Sequence, residues 1–155
     1  MSFFSSLIHN YLFMAAVLGW LIAQVLKVII DVSITREINW ERLVGSGGMP
    51  SSHSSTVCAL MMAAALKCGP SSNEFAICAI LAIIVMYDAR GVRRETGNQA
   101  VVLNQIMDYF TSTHPEQIKF TEDNLKELIG HTPLQVLIGA ILGLIIGYLT
   151  WPVFR

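Results

Sequence analysis

Charge is scarce in this chain. Asp, Glu, Lys and Arg make up 14% of its 155 residues, against roughly 25% in a soluble domain. Mean hydropathy is +0.56. Together these values argue against an ordinary soluble domain and imply a multi-pass membrane protein. Net charge is −1, so there is no global field to draw nucleic acid. Cysteine is rare as well: Cys58, Cys68 and Cys78 all lie in or beside apolar stretches. Their odd number and their spacing point to packing rather than to a disulfide framework or zinc. No Lys or Arg precedes the first apolar run, which is long for the core of a signal peptide, so a cleavable leader is not expected. Repeats and low-complexity tracts are missing too, and one domain over 1–155 is the expectation.

Apolar runs, by contrast, are plentiful. Four stretches can span a bilayer: about 11–30, 50–69, 72–90 and 132–151. The second and third have short apolar centres, Val57–Leu66 and Phe75–Tyr87, against the roughly 20 residues a span requires. A helical hairpin entering part way is the alternative for that pair. Two polar connectors, 31–49 and 91–131, separate the spans. The longer one carries an amphipathic stretch from Gln99 to Phe110, with Val101, Val102, Gln105, Ile106 and Tyr109 at helical spacing. It also carries a short helix over 121–129, capped by Thr121. The expected fold class is therefore all-α: a membrane helical bundle of about four spans plus short amphipathic helices.

With four spans both connectors lie on one side of the membrane. That side takes Lys27, Arg36, Arg42, Arg90, Arg93, Arg94, Lys119 and Lys126; the other takes Lys67 and Arg155. The asymmetry places the connectors in the cytoplasm, although cations gathered to bind phosphate would imitate the same signal. The same arrangement brings Lys27, His53, Asp88, Arg90 and His131 to one membrane surface. Ionisable groups at such positions are costly and mark functional sites; snorkelling of Lys27 or of a single Arg is the competing explanation.

Two motifs carry the chemistry. The first is Gly-Gly-Met-Pro-Ser-Ser-His-Ser, residues 47–54. Gly47 and Gly48 permit close backbone approach to a ligand. Pro50 suits the first turn of a helix. Ser51, Ser52, Ser54 and Ser55 place hydroxyls near a helix N-terminus, where free N–H groups favour anions. His53 adds a proton donor near neutral pH. A plain capped helix start with an incidental His accounts for the octet equally well. The second motif is residues 130–143, Gly-His-Thr-Pro-Leu-Gln-Val-Leu-Ile-Gly-Ala-Ile-Leu-Gly. Pro133 marks a helix start. His131 and Gln135, four apart, share a face, so the Gln oxygen can accept a proton from one imidazole nitrogen and leave the other free to attack. Gly139, Gly143 and Gly147 allow another helix to approach closely, either within the bundle or in a homodimer.

Pro-Ser-x-His, followed on a last helix by His-x3-[acid]-Val-x2-Gly-x3-Gly with Gln135 at the acid position, resembles the type-2 phosphatidic acid phosphatases. That superfamily also includes bacterial acid phosphatases and vanadium haloperoxidases. The strings 47–54, Tyr-Asp-Ala-Arg-Gly-Val-Arg-Arg (87–94) and Leu-Lys-Glu-Leu-Ile-Gly-His-Thr-Pro (125–133) look closest to its small divergent, haloperoxidase-related membrane branch. The resemblance covers roughly residues 10–150. It implies a related fold and a membrane phosphatase acting on a lipid phosphate monoester or pyrophosphate, with phosphatidic acid or phosphatidylglycerophosphate as substrates made on the cytoplasmic side.

In the implied mechanism His131 is the nucleophile that becomes phosphohistidine, and His53 protonates the departing alkoxide. Ser51 and the backbone at Ser52 hold phosphate oxygens. Lys27 and Arg36 neutralise charge, and Arg93 or Arg94 stands for the arginine that precedes the nucleophile. No cofactor is required. The departures are specific: eight residues rather than six separate Lys27 from Arg36, Glu37 follows Arg36 in place of Pro, Ser52 replaces Gly, and Gln135 replaces Asp. Asp88 and Glu95 are left to pair with Arg90, Arg93 or Arg94, to bind a divalent cation, or to supply the missing acid to His131. A membrane protein that keeps the phosphate pocket without turnover is the second reading.

Overall fold

The computed structural model describes residues 3–36, 48–113 and 131–154. Six helices and no strand occur among them: α1 Phe3–Ile8, α2 Tyr11–Thr35, α3 Ser52–Cys68, α4 Asn73–Arg90, α5 Val92–Thr113 and α6 Pro133–Phe154. The protein is an all-α membrane bundle. Helix starts follow the local chemistry. Asn10, Ser51 and Ser72 adopt extended backbone and accept the N–H of the residue three further on, at Phe13, Ser54 and Phe75, which satisfies a donor the helix itself leaves unpaired. Arg36 closes α2 in the left-handed conformation, φ 58°.

The four expected spans appear as α2, α3, α4 and α6. Three helical runs are long and apolar enough to cross a membrane: Tyr11–Thr35, Asn73–Phe110 and Pro133–Phe154. The second expected span, α3, has 17 residues, roughly 26 Å of helix, against a hydrocarbon core of about 30 Å. Its composition has a structural reason. α3 is the axis of the bundle, packed by α2, α4 and α6, so it carries small residues where a lipid-facing helix carries large ones. The amphipathic stretch expected at 99–110 is part of the longer α5, which packs on α4. Helix α1 precedes the expected spans. Pro50 stands just before the cap Ser51, not in the first turn of α3. The short helix expected at 121–129 with its cap Thr121 lies outside the described residues, as do Gly47, Arg42, Lys119 and Lys126.

Two glycine contacts set the packing of α3. On one side Gly139, Gly143 and Gly147 of α6 meet the backbone at Ser51, Ser55 and Ala59 in turn, at distances that leave no room for a Cβ. On the other, a Cβ at Gly19 of α2 would stand 2.9 Å from the Ser55 carbonyl oxygen and 2.9 Å from the Ala59 Cβ. The Ser55 hydroxyl donates to the Gly19 carbonyl at 2.8 Å. Gly139, Gly143 and Gly147 are thus occupied within the chain, and this is the close approach that a four-residue glycine repeat permits. At the end of the bundle away from the histidines, the buried Tyr11 hydroxyl donates to the Gly147 carbonyl, and its ring lies 5.1 Å from Trp151 and 6.1 Å from Phe154, centroid to centroid. Gly143→Ala is expected to cost about 1–3 kcal/mol, the usual penalty of overpacking, read as a lower unfolding midpoint in detergent.

Candidate active site

The glycine contact between α3 and α6 aligns their N-terminal ends. The Ser51 N–H donates to the Gln135 carbonyl at 3.1 Å, and the His131 N–H donates to the Ala89 carbonyl at the end of α4 at 3.2 Å. Three helix ends therefore meet, and two imidazoles meet with them: the rings of His53 and His131 lie 6.1 Å apart, centroid to centroid. Lys27 reaches the same place from α2. It is buried, 2% exposed, and Gly48 explains how. Gly48 has φ +80°, and a Cβ there would come within 3.2 Å of Lys27 Cγ, so the turn before α3 folds over the lysine stem.

Gln135 fixes the chemistry of His131. Its Oε1 accepts the Thr132 N–H at 3.0 Å, while the Gln135 N–H donates to the Thr132 hydroxyl at 3.3 Å. This is a capping box with Pro133 at the first helical position. A backbone N–H can only donate, so the Gln135 atom facing it is the oxygen. That same oxygen lies 3.2 Å from His131 Nδ1. In the neutral ring Nδ1 must then carry the hydrogen and Nε2 the lone pair. Nε2 is buried and makes no hydrogen bond among the described residues. Burial pushes the imidazolium of His131 below its ordinary value of 6.5, and the charges of Lys27 and His53 push the same way; the Gln135 side chain and the Gly48 backbone oppose them. The result is a neutral imidazole whose buried Nε2 lone pair is uncommitted near Lys27 and His53, the state a nitrogen nucleophile needs.

The serines of the octet are largely spoken for. Ser51 caps α3, the Ser54 hydroxyl donates to the Ser51 hydroxyl at 3.1 Å, Ser55 ties α3 to α2, and Thr56 donates to the Ser52 carbonyl at 2.7 Å. With the Ser54 N–H held by the cap, the backbone donors of Ser52 and His53 head the first turn. The remaining expected site residues stand at the helix ends: Asp88 adjoins Ala89, whose carbonyl takes the His131 N–H. Arg36 is exposed at the cap of α2, about 14 Å beyond Lys27 along the helix. Asp88 is half-buried in the last turn of α4 and engaged with other groups; Glu95 is exposed in the first turn of α5. The side chains of Arg93 and Arg94 lie outside the described residues. Among the described residues no three of His, Cys, Asp and Glu stand together to hold a metal.

Comparison with known proteins gives the family. The family model described as the divergent PAP2 family matches residues 8–146. The chain belongs to the divergent PAP2 family. That stretch takes in Lys27, His53, His131 and Gln135. A relative from Bacillus subtilis (strain 168), the uncharacterized membrane protein YuiD, is 38% identical over 147 residues, covering 90% of this chain and 93% of its own length. No solved structure matches. The feature of this divergent PAP2 chain missed in its sequence is the capping box. Thr132-Pro133-Leu134-Gln135 carries its signature, so Gln135 has a structural duty besides holding His131.

The lowered His131 value has a consequence for stability. Between the folded value and 6.5 the unfolded chain binds more protons than the folded one, so stability rises with pH across that window. Stability is expected to be full above pH 6.5 and to decline as pH falls below it. His131→Gln should flatten the decline in thermal unfolding measured against pH in detergent.

Proposed function

We propose that this protein is a lipid phosphate phosphatase that works through a phosphohistidine. The observation that carries the reading is the pair of imidazoles with centroids 6.1 Å apart, one held with its Nε2 lone pair free. Nε2 of His131 attacks phosphorus; the N–P bond forms as the P–O bond to the alcohol breaks, and His53 delivers its proton to the departing oxygen. Water then attacks phosphorus, giving its proton to His53, and the N–P bond breaks to release inorganic phosphate and neutral His131. Lys27 and the N–H groups at the start of α3 balance the charge on the phosphoryl oxygens, the main requirement of phosphoryl transfer. Family membership supports a phosphatase relation. The excess of basic residues on the connectors supports a cytoplasmic site, where phosphatidic acid and phosphatidylglycerophosphate are the favoured substrates and a lipid pyrophosphate is the other class.

One observation favours a second reading. The Gln135 amide sits where a carboxylate would stabilise imidazolium, and it is engaged in a helix cap. On this reading the pocket binds lipid phosphate without turning it over. Phosphate release from detergent-solubilised protein and phosphatidic acid decides between them. We expect release to vanish in His131→Ala and to fall about 10²–10⁴-fold in His53→Ala, the usual worth of a general acid. Release untouched by either change would eliminate the mechanism. Binding without release that Gln135→Asp leaves unchanged would establish the second reading.

A further inference from the structure

Helix α3 is enclosed on three sides. Toward α6, its Ser51, Ser55, Ala59 and Met62 meet the glycines. Toward α2, Ala63 and Leu66 join Tyr11 and Ala15. Toward α4, Val57, Cys58 and Met61 pack with Ala82, Val85 and Met86. At about 100° per residue, these positions leave one sector that carries His53, Thr56, Leu60 and, two turns further, Lys67; Ala64, on its α4 side, is closed over. Among the described residues α2 and α4 do not pack against each other, and no described helix closes that sector. The side chains on it agree: His53, Thr56 and Leu60 are only partly buried and Lys67 is exposed, whereas Ser52, Ser54, Ser55, Val57, Cys58 and Ala59 around them are buried. The open flank begins at the imidazole assigned to the leaving group.

We propose that this flank of α3, between α2 and α4, seats the hydrocarbon chain of a phosphate-bearing lipid, with Thr56 and Leu60 as the residues that read it. The inference rests on the phosphatase reading of the same site. Geometry supplies the match. His53 to Leu60 is roughly 10 Å of helix and His53 to Lys67 roughly 21 Å, against a hydrocarbon depth of about 15 Å for one leaflet. A lipid whose phosphate lies between the histidines has its alcohol oxygen toward His53 and its chain running down α3. The Thr56 hydroxyl hydrogen is already given to the Ser52 carbonyl at 2.7 Å, so Thr56 offers no free donor to the groove, and Leu60 supplies apolar surface.

The test has a binding arm and a turnover arm. In nanodiscs, a phosphatidic acid with a diazirine midway along one acyl chain should label α3 around Thr56 and Leu60. Excess unlabelled phosphatidic acid should suppress that labelling several-fold, and excess diacylglycerol should not. Equal suppression by both lipids, or labelling confined to outward residues such as Trp20 and Ile141, makes the flank ordinary bilayer-facing surface and overturns the proposal. In the turnover arm, Leu60→Trp fills the groove. It should raise KM for long-chain phosphatidic acid about tenfold or more, in the range that pocket contacts command, with hydrolysis of glycerol 3-phosphate unchanged. An equal loss on both substrates also overturns it. Headgroup-dependent labelling in a wild-type protein that releases no phosphate would sink the phosphatase reading and leave the chain seat standing. Release with indifferent labelling would do the reverse.

Discussion

The close seam between α3 and α6 is the constraint on which the rest depends. Without side chains at Gly139, Gly143 and Gly147, the two backbones touch along three successive turns. In a bilayer, where apolar side chains gain little from leaving lipid, such contact is a main source of helix association. It also sets register. The topmost contact is Gly139 against Ser51, the residue that caps α3, so the seam delivers the start of one helix to the start of the other. His53 and His131 each lie within a turn of those starts. Their meeting follows from backbone packing before any polar interaction between them is counted.

Polar groups in the interior are then used to join elements. Ser55 reaches α2, the Ser51 amide reaches α6, and the His131 amide takes a carbonyl at the end of α4. Each bond removes a buried donor that would be costly to leave unmade. Together they tie α2 and α6 to α3, and α4 to His131, two residues before α6. The lysine brought in by α2 is packed along its stem by the turn at Gly48.

Much of this was legible in the sequence because apolar runs and glycine spacing are coarse signals. The bounds of α2, α4 and α6 fall close to the expected spans; of the groups expected at one membrane surface, Lys27, His53 and His131 meet, and Gln135 faces His131 as its four-residue spacing implies. What escaped depends on three-dimensional neighbours. Nothing in the run from Ser52 to Cys68 says that it is the axis of the bundle, since weak hydropathy fits a short span as well as an enclosed one. Pro50 read as a helix residue because proline is acceptable both in a first turn and just before a cap. Arg36, nine positions after Lys27, is carried about 14 Å along the same helix to its exposed cap. The box at Thr132 was hidden because Gln135 already had an assigned task with His131.

That double task ties two properties of the protein together. The amide at 135 both seals the start of α6 and chooses which ring nitrogen of its neighbour carries the hydrogen. Drift at this one position therefore cannot tune reactivity without also touching the integrity of the helix, and a change favourable to either must be tolerable to the other. Position 135 is pleiotropic: one substitution there alters a helix start and a ring tautomer at once.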